Sequence, residues 1–196
     1  MRVTILVAVF LIFGLLVAVP PGSRSEAADR KSGKSEAFSA LAQLPTAGRT
    51  LNARIYVNGY STEQEAQELH SALLDGGPDA LLKILRKMKS KGRIEPEGAL
   101  SFYDFKFILT KDTPGGRHIY AVADRPIGFL EQYFSTRSTD YPFGIMELDL
   151  TSRENGKEKG VGTLIYAAKI RVIDGEKVDI ENLTFAPIQL LGVRQL

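Results

Sequence analysis

The chain has no cysteine, and only two histidines among its 196 residues. Without cysteine there is no disulfide, no thiol catalysis and no thiolate metal site. The two imidazoles, His70 and His118, are far apart in sequence and fall on different expected elements. They are too few for a His-based zinc centre, and they leave a Ser–His hydrolase little choice of base. The Gly-x-Ser-x-Gly elbow is missing. Gly115-Gly116 and Gly160-Val161-Gly162 lack the strand–turn–helix setting of a phosphate cradle. The formal net charge is only +2, so electrostatics makes no case for nucleic acid or for an acidic membrane surface. The aromatic run Phe102-Tyr103-Phe105-Phe107 carries one interleaved base, Lys106, and reads as sheet core rather than an RNA platform. These absences leave no residue to assign as catalytic, no metal ligand and no cofactor.

One long apolar run is present. Arg2 and the terminal amine precede Val3 to Val19, which is apolar apart from Thr4 and Gly14. Pro20-Pro21-Gly22 then breaks any helix, and Ser25-Glu26-Ala27 sets small residues at a signal-peptidase spacing. Residues 1–27 therefore read as a secretory signal peptide on an exported, periplasmic or extracellular protein. The rival is an uncleaved anchor, since about 17 apolar residues is the lower edge of a membrane span. Removal takes away Arg2, Arg24 and Glu26, and the net charge drops by one. An exported chain of this size without disulfides points to a bacterial envelope protein.

Residues 28–48 begin polar and small and read as a flexible leader. Phe38, Leu41 and Leu44 suggest a short helical turn within it, ended by Pro45. Residues 49–196 form a single domain. Thr50 to Tyr60 alternates, with Leu51, Ala53, Ile55 and Val57 on one face and Asn52, Arg54 and Tyr56 on the other, as a half-buried antiparallel strand does. Ser61 and Thr62 with Gln64 and Glu65 supply a capping box. Apolar stripes then predict an αα-hairpin, Glu63–Leu74 and Pro78–Lys89, divided at Gly76-Gly77.

Beyond Gly98 the period is two. Strands are expected at Leu100–Leu109, His118–Ala123, Pro126–Glu131, Ile145–Leu150, Thr163–Ile173, Lys177–Phe185 and Ile188–Val193. Residues 132–142 and 151–160 read as loops. One register can be argued. Ile170 opposite Ile180, Val172 opposite Val178, Arg171 opposite Asp179 and Lys169 opposite Glu181 keeps like with like and charge with counter-charge, with residues 174–176 as a three-residue loop. The fold class is α+β: a mainly antiparallel curved sheet of six to eight strands, with the αα-hairpin inserted after the first. One helix pair cannot cover both faces of a wide sheet. The sheet must curl, as a half-barrel around the hairpin or as a small closed barrel.

Two Pro-stiffened corners stand out, Asp124-Arg125-Pro126-Ile127 and Asp140-Tyr141-Pro142-Phe143-Gly144. Loops on a rigid scaffold tend to carry function. Asp124, Arg125, Asp140 and Tyr141 are the candidate ligand-binding residues, against the plain reading that Asp caps a turn and Pro ends a strand. Glu147 and Asp149 share a strand face about 7 Å apart, either as a carboxylate pair or as a solvated surface.

The strings Asp75-Gly-Gly-Pro-Asp-Ala-Leu-Leu-Lys-Ile-Leu, Lys91-Gly-Arg-Ile, Asp140-Tyr-Pro-Phe-Gly-Ile-Met-Glu-Leu-Asp149 and Ala167-Ala-Lys-Ile-Arg171 resemble a group of short exported proteins of soil bacteria, especially Acidobacteria. The resemblance covers about residues 48–194. It implies a bacterial exported protein and lends no activity or site.

Three functions are carried forward. The first is a non-enzymatic envelope protein that binds a small apolar ligand or another envelope component through its curved sheet. The second is a hydrolase using carboxylates near Asp124, Asp140 and Glu147. The third is an interaction module presenting the αα-hairpin or a sheet edge to a protein partner.

Overall fold

The computed structural model describes residues 35–45, 48–98, 101–128, 140–173, 177–183 and 186–196. Residues 1–27, expected as a signal peptide, residues 28–34 of the expected leader, most of the loop expected at 132–142, the far end of the strand expected at Pro126–Glu131 and the turn expected at 174–176 lie outside the described residues.

The elements are β1 (Glu36–Leu44), β2 (Arg49–Val57), α1 (Glu63–Leu85), β3 (Gly92–Pro96), β4 (Tyr103–Phe105), β5 (Phe107–Thr113), β6 (Gly116–Ala123), β7 (Phe143–Glu154), β8 (Lys157–Ile173), β9 (Lys177–Asn182) and β10 (Ile188–Gln195). They form one antiparallel sheet in the order β4-β3-β2-β1-β10-β8-β7-β6-β5, with β9 added to β8. The two ends of this path, β4 and β5, are separated in sequence by Lys106 alone. The sheet therefore curls until its ends meet, and it is a nearly closed barrel. Hydrogen bonds stitch the seam: Lys91 N–H to Phe105 O at 2.8 Å, Lys106 N–H to Val122 O at 2.9 Å and Ser61 N–H to Ile108 O at 2.6 Å. The buried Ser61 hydroxyl accepts from Ile108 N–H at 3.1 Å, so no backbone donor is stranded there.

Period-two alternation divides the apolar residues between two cores. Phe38, Ile55, Val57, Ile94, Phe105, Ile108, Ile119, Met146, Leu148, Leu150, Leu164 and Leu190 point inward and fill the barrel. Phe107, Tyr120, Val122, Phe143, Ile145 and Ile165 point outward and are covered by Leu69, Leu73, Leu81, Leu82 and Leu85 of α1. The far end of β8 leaves the barrel with β9, and Ile170, Val172, Val178 and Ile180 join that second core. The helix lies outside the barrel, not within the curl of a half-barrel. A barrel interior already filled by its own side chains has no room for it.

The argued register is present. Lys169, Ile170, Arg171 and Val172 face Glu181, Ile180, Asp179 and Val178. The capping box is also present: Glu65 N–H donates to Thr62 Oγ1 at 3.1 Å and Thr62 N–H to Glu65 Oε2 at 2.7 Å. β2 and β7 turn inward the faces expected of them.

Other expectations are corrected. Among the described residues the sheet has ten strands, not six to eight. Glu36–Leu44, assigned to the leader with a helical turn, is β1, an interior strand between β2 and β10. Its i, i+3, i+6 spacing is equally a strand whose even positions Phe38, Ala40, Ala42 and Leu44 are buried. The helical insertion follows the second strand, not the first. It is one helix, Glu63–Leu85, interrupted by non-helical Gly77 (φ 69°, ψ −166°). β3 was not anticipated. The expected strand Leu100–Leu109 is broken at Lys106 into β4 and β5. The charged loop of residues 151–160 is instead a hairpin, with Glu154 facing Lys157 across Asn155-Gly156. Both turn residues have positive φ, 52° and 78°, which a two-residue primed turn requires and Asn-Gly supplies at least strain.

Candidate functional site

α1 covers only part of the outer face. Over β10, β1, β2 and β3 no described residue covers that face, and it holds a shallow groove of about 820 Å³ lined by Ser39, Leu41, Asn52, Arg54, Tyr56 and Leu191 with Glu95 and Glu97 at one side. A β-bulge shapes it. The β10–β8 pairing shifts between Leu190 and Val193, so Leu191 and Gly192 together occupy the space opposite one residue of β8. Gly192 has φ 56°, a left-handed conformation that glycine adopts without penalty.

Registers place side chains in rungs across the strands. One rung carries Leu191 of β10 beside Leu41 of β1 and then Asn52 of β2. Val161 of β8 stands at the bulge beside Leu191. Val161, Leu191 and Leu41 are all exposed, an aliphatic stripe across three adjacent strands. The next rung carries Lys159, Arg194, Ser39, Arg54 and Glu95 on β8, β10, β1, β2 and β3. Glu95 on this rung and the nearby Glu154 are engaged sideways. Glu95 takes Arg93 at 2.6 Å, and Glu154 pairs with Lys159 and, loosely at 3.7 Å, with Arg194. Glu97 accepts from Asn52. The Arg54 side chain makes no hydrogen bond or ion pair with any described residue. At the groove's edge, Arg93 stacks 4.6 Å over the Tyr56 ring and lies 5.6 Å from Phe102.

A second polar group lies inside one end of the barrel. Arg117 of β6 donates from Nε to both Glu158 oxygens at 3.1 and 3.0 Å, from Nη2 to Glu36 at 2.9 Å and from Nη1 to the Tyr60 hydroxyl at 2.9 Å. Tyr60 in turn donates to Glu36 at 2.8 Å. Burial alone would lower the guanidinium pKa, but Glu158, Tyr60 and Glu36 outweigh it and the net shift is upward. Burial raises the Tyr60 phenol well above its ordinary value despite the nearby Arg117 charge. Every member is hydrogen-bonded within the group, which reads as a structural tie among β1, β6, β8 and the segment after β2.

The third group is on the outer face. His118 Nδ1 lies 3.3 Å from Glu147 Oε1, and Nε2 lies 3.5 Å from Asp149 Oδ1. The registers set His118 opposite Asp149 and Tyr120 opposite Glu147, and the His118 and Tyr120 rings stack at 6.0 Å. The buried Tyr120 hydroxyl has no hydrogen-bond partner among the described residues. Burial first, then the Glu147 and Asp149 charges, hold its pKa up. Because the two carboxylates engage opposite ring nitrogens, the trio does not converge on one point. Among the described residues no cluster of His, Asp and Glu could hold a metal ion.

The residues expected at the two corners are placed as follows. Arg125 donates to Phe102 O at 3.1 Å and its guanidinium lies 5.5 Å from the Tyr103 ring. Asp124 is half-buried and Asp140 exposed. Tyr141 donates to Glu181 at 2.7 Å. The corners do pack together at Ile127 and Gly144, where a Cβ on Gly144 would lie 2.6 Å from the Ile127 side chain. Arg125 and Tyr141 are thus occupied by structural bonds. Glu147 is not gathered with Asp124. It faces Tyr120, four residues back along β6, roughly 13 Å by strand rise.

The groove was missed in the sequence except for one signal: Asn52, Arg54 and Tyr56 stand on the outward face of β2 as the alternation required. Leu41 and Leu191 are distant in sequence, and only the β1–β10 pairing joins them. Comparison with family profiles, with curated proteins and with solved structures gave no significant match to this chain. No helix among the described residues is long and apolar enough to cross a membrane.

Proposed function

We propose that this is an exported, non-enzymatic binding protein that takes a small ligand with an apolar body in the open groove on β10, β1 and β2. The observation that carries the reading is the exposed Leu41–Leu191 pair on a bulged, helix-free part of a sheet whose interior is already packed. A ligand for this barrel is taken on its outer surface, not in its centre. Apolar side chains left contiguous beside polar ones mark recognition surfaces, and a bulge kinks the strand locally so that a concavity forms. Titration with the neutral, environment-sensitive dye Nile red tests this. Enhanced emission that is lost in both Leu41→Glu and Leu191→Glu supports the groove. Equal emission from all three proteins, or none from the wild type, overturns it.

The carboxylate-hydrolase reading has one specific point in its favour, the Glu147–His118–Asp149 row beside an unsatisfied tyrosine hydroxyl. Its test is hydrolysis of a panel of aryl glycosides and esters by the wild type and Glu147→Gln. Activity abolished by that change would favour it over binding.

A further inference from the structure

We propose that Ser39, Arg54 and Arg194 form the head-group subsite of the groove, and that its ligand class is a single-chain amphiphile bearing a carboxylate. The inference rests on the binding reading above and adds the chemistry of the ligand's polar end.

The three residues come from three adjacent strands. Ser39 faces Arg54 across β1–β2 and Arg194 across β1–β10, so the two arginine backbones lie about 10 Å apart with the hydroxyl between them. Guanidinium groups on such stems can converge over Ser39, and a planar fork of donors suits a carboxylate. The Arg54 side chain has no partner among the described residues, and the acid across the strand from it, Glu95, is already engaged by Arg93. Arg194 is held only at 3.7 Å by a Glu154 that Lys159 holds more closely. The cationic rung is therefore under-neutralised at Ser39. One rung away, about 7 Å along the strands, begins the aliphatic pair Leu41 and Leu191. An anionic head with an unbranched tail matches that sequence of surfaces, whereas a neutral lipid leaves Arg54 desolvated and unpaired.

The test is displacement of bound Nile red by dodecanoate and by dodecanol, which share the tail and differ in the head. The wild type is expected to bind dodecanoate at least tenfold more tightly than dodecanol. Arg54→Gln with Arg194→Gln is expected to bring the two within about twofold, chiefly through loss of dodecanoate affinity. Equal wild-type affinities, a preference that survives the double substitution, or dye that neither compound displaces would overturn the head-group assignment while leaving the groove itself standing. Absence of dye binding would remove the groove reading and this inference with it.

Discussion

Arg117 clasps both oxygens of Glu158 through one nitrogen, at 3.1 and 3.0 Å, inside the end of the barrel. The same guanidinium reaches Glu36, the first residue of β1. Arg117→Met would strand two carboxylates in a largely dry site. Breaking a buried pair from one side costs about 3–5 kcal/mol. Urea unfolding should show a loss of that order, with the midpoint falling. A change below about 1 kcal/mol would mean that water reaches the cluster freely.

The start of α1 depends on a reciprocal cap. Thr62→Ala should cost about 1 kcal/mol, read by the same unfolding curve. Glu65 adds a pH dependence. Burial pushes its carboxyl up, but the Lys91 hydrogen bond at 2.8 Å and the Thr62 amide outweigh this and hold it below the usual 4.5. A carboxylate depressed on folding contributes stability above its unfolded pKa. That contribution is lost as pH falls through the folded one. Stability should therefore decline below about pH 4.5, and Glu65→Gln should flatten the part of the decline due to this residue.

Three tyrosines give the opposite limb. Tyr60, Tyr120 and Tyr166 all have phenol pKa values above the ordinary 10.0, burial being the first cause in each. A group whose pKa is raised on folding gives its full stabilisation below the unfolded value and loses it as pH climbs through the folded one. Stability should drop from about pH 10 upward. Absorbance at 295 nm should show these phenols ionising late, together with unfolding. Early, reversible ionisation of all tyrosines in the folded protein would contradict it.

The bulge that shapes the groove can be strained without a clash. A Cβ on Gly192 meets no atom within 4 Å, yet its φ is 56°. Gly192→Ala should cost about 1–2 kcal/mol from the left-handed backbone alone and weaken Nile red binding. Unchanged stability with unchanged binding would show that the bulge relaxes at no cost.

Local patterns were legible where they depended on neighbours in the chain. The β8–β9 register followed from pairing Ile170 with Ile180 and Arg171 with Asp179, because a one-residue slip would invert every face. The Thr62–Glu65 cap followed from a three-residue spacing. Asn155-Gly156 carried an equally local hairpin signal, overlooked among the charges of residues 151–160. Phe38, Leu41 and Leu44 fit two periods at once, and only pairing partners distinguish them. β1 became a strand because β2 and β10 flank it.

By itself the sequence determined the composition of the core, the caps and turns, and an α+β class with a sheet too wide to stay flat. It also determined that cysteine chemistry is absent. The tertiary structure decided the strand order, the closure of β4 onto β5, the position of α1 outside the barrel, and the meeting of Leu41 with Leu191 and of Arg54 and Arg194 about Ser39. The physical reason is range. Propensity, capping and alternation act over a few residues, whereas antiparallel pairing joins β1 to β10 across nearly the whole described chain, through hydrogen bonds that every backbone can make and that only collective packing selects.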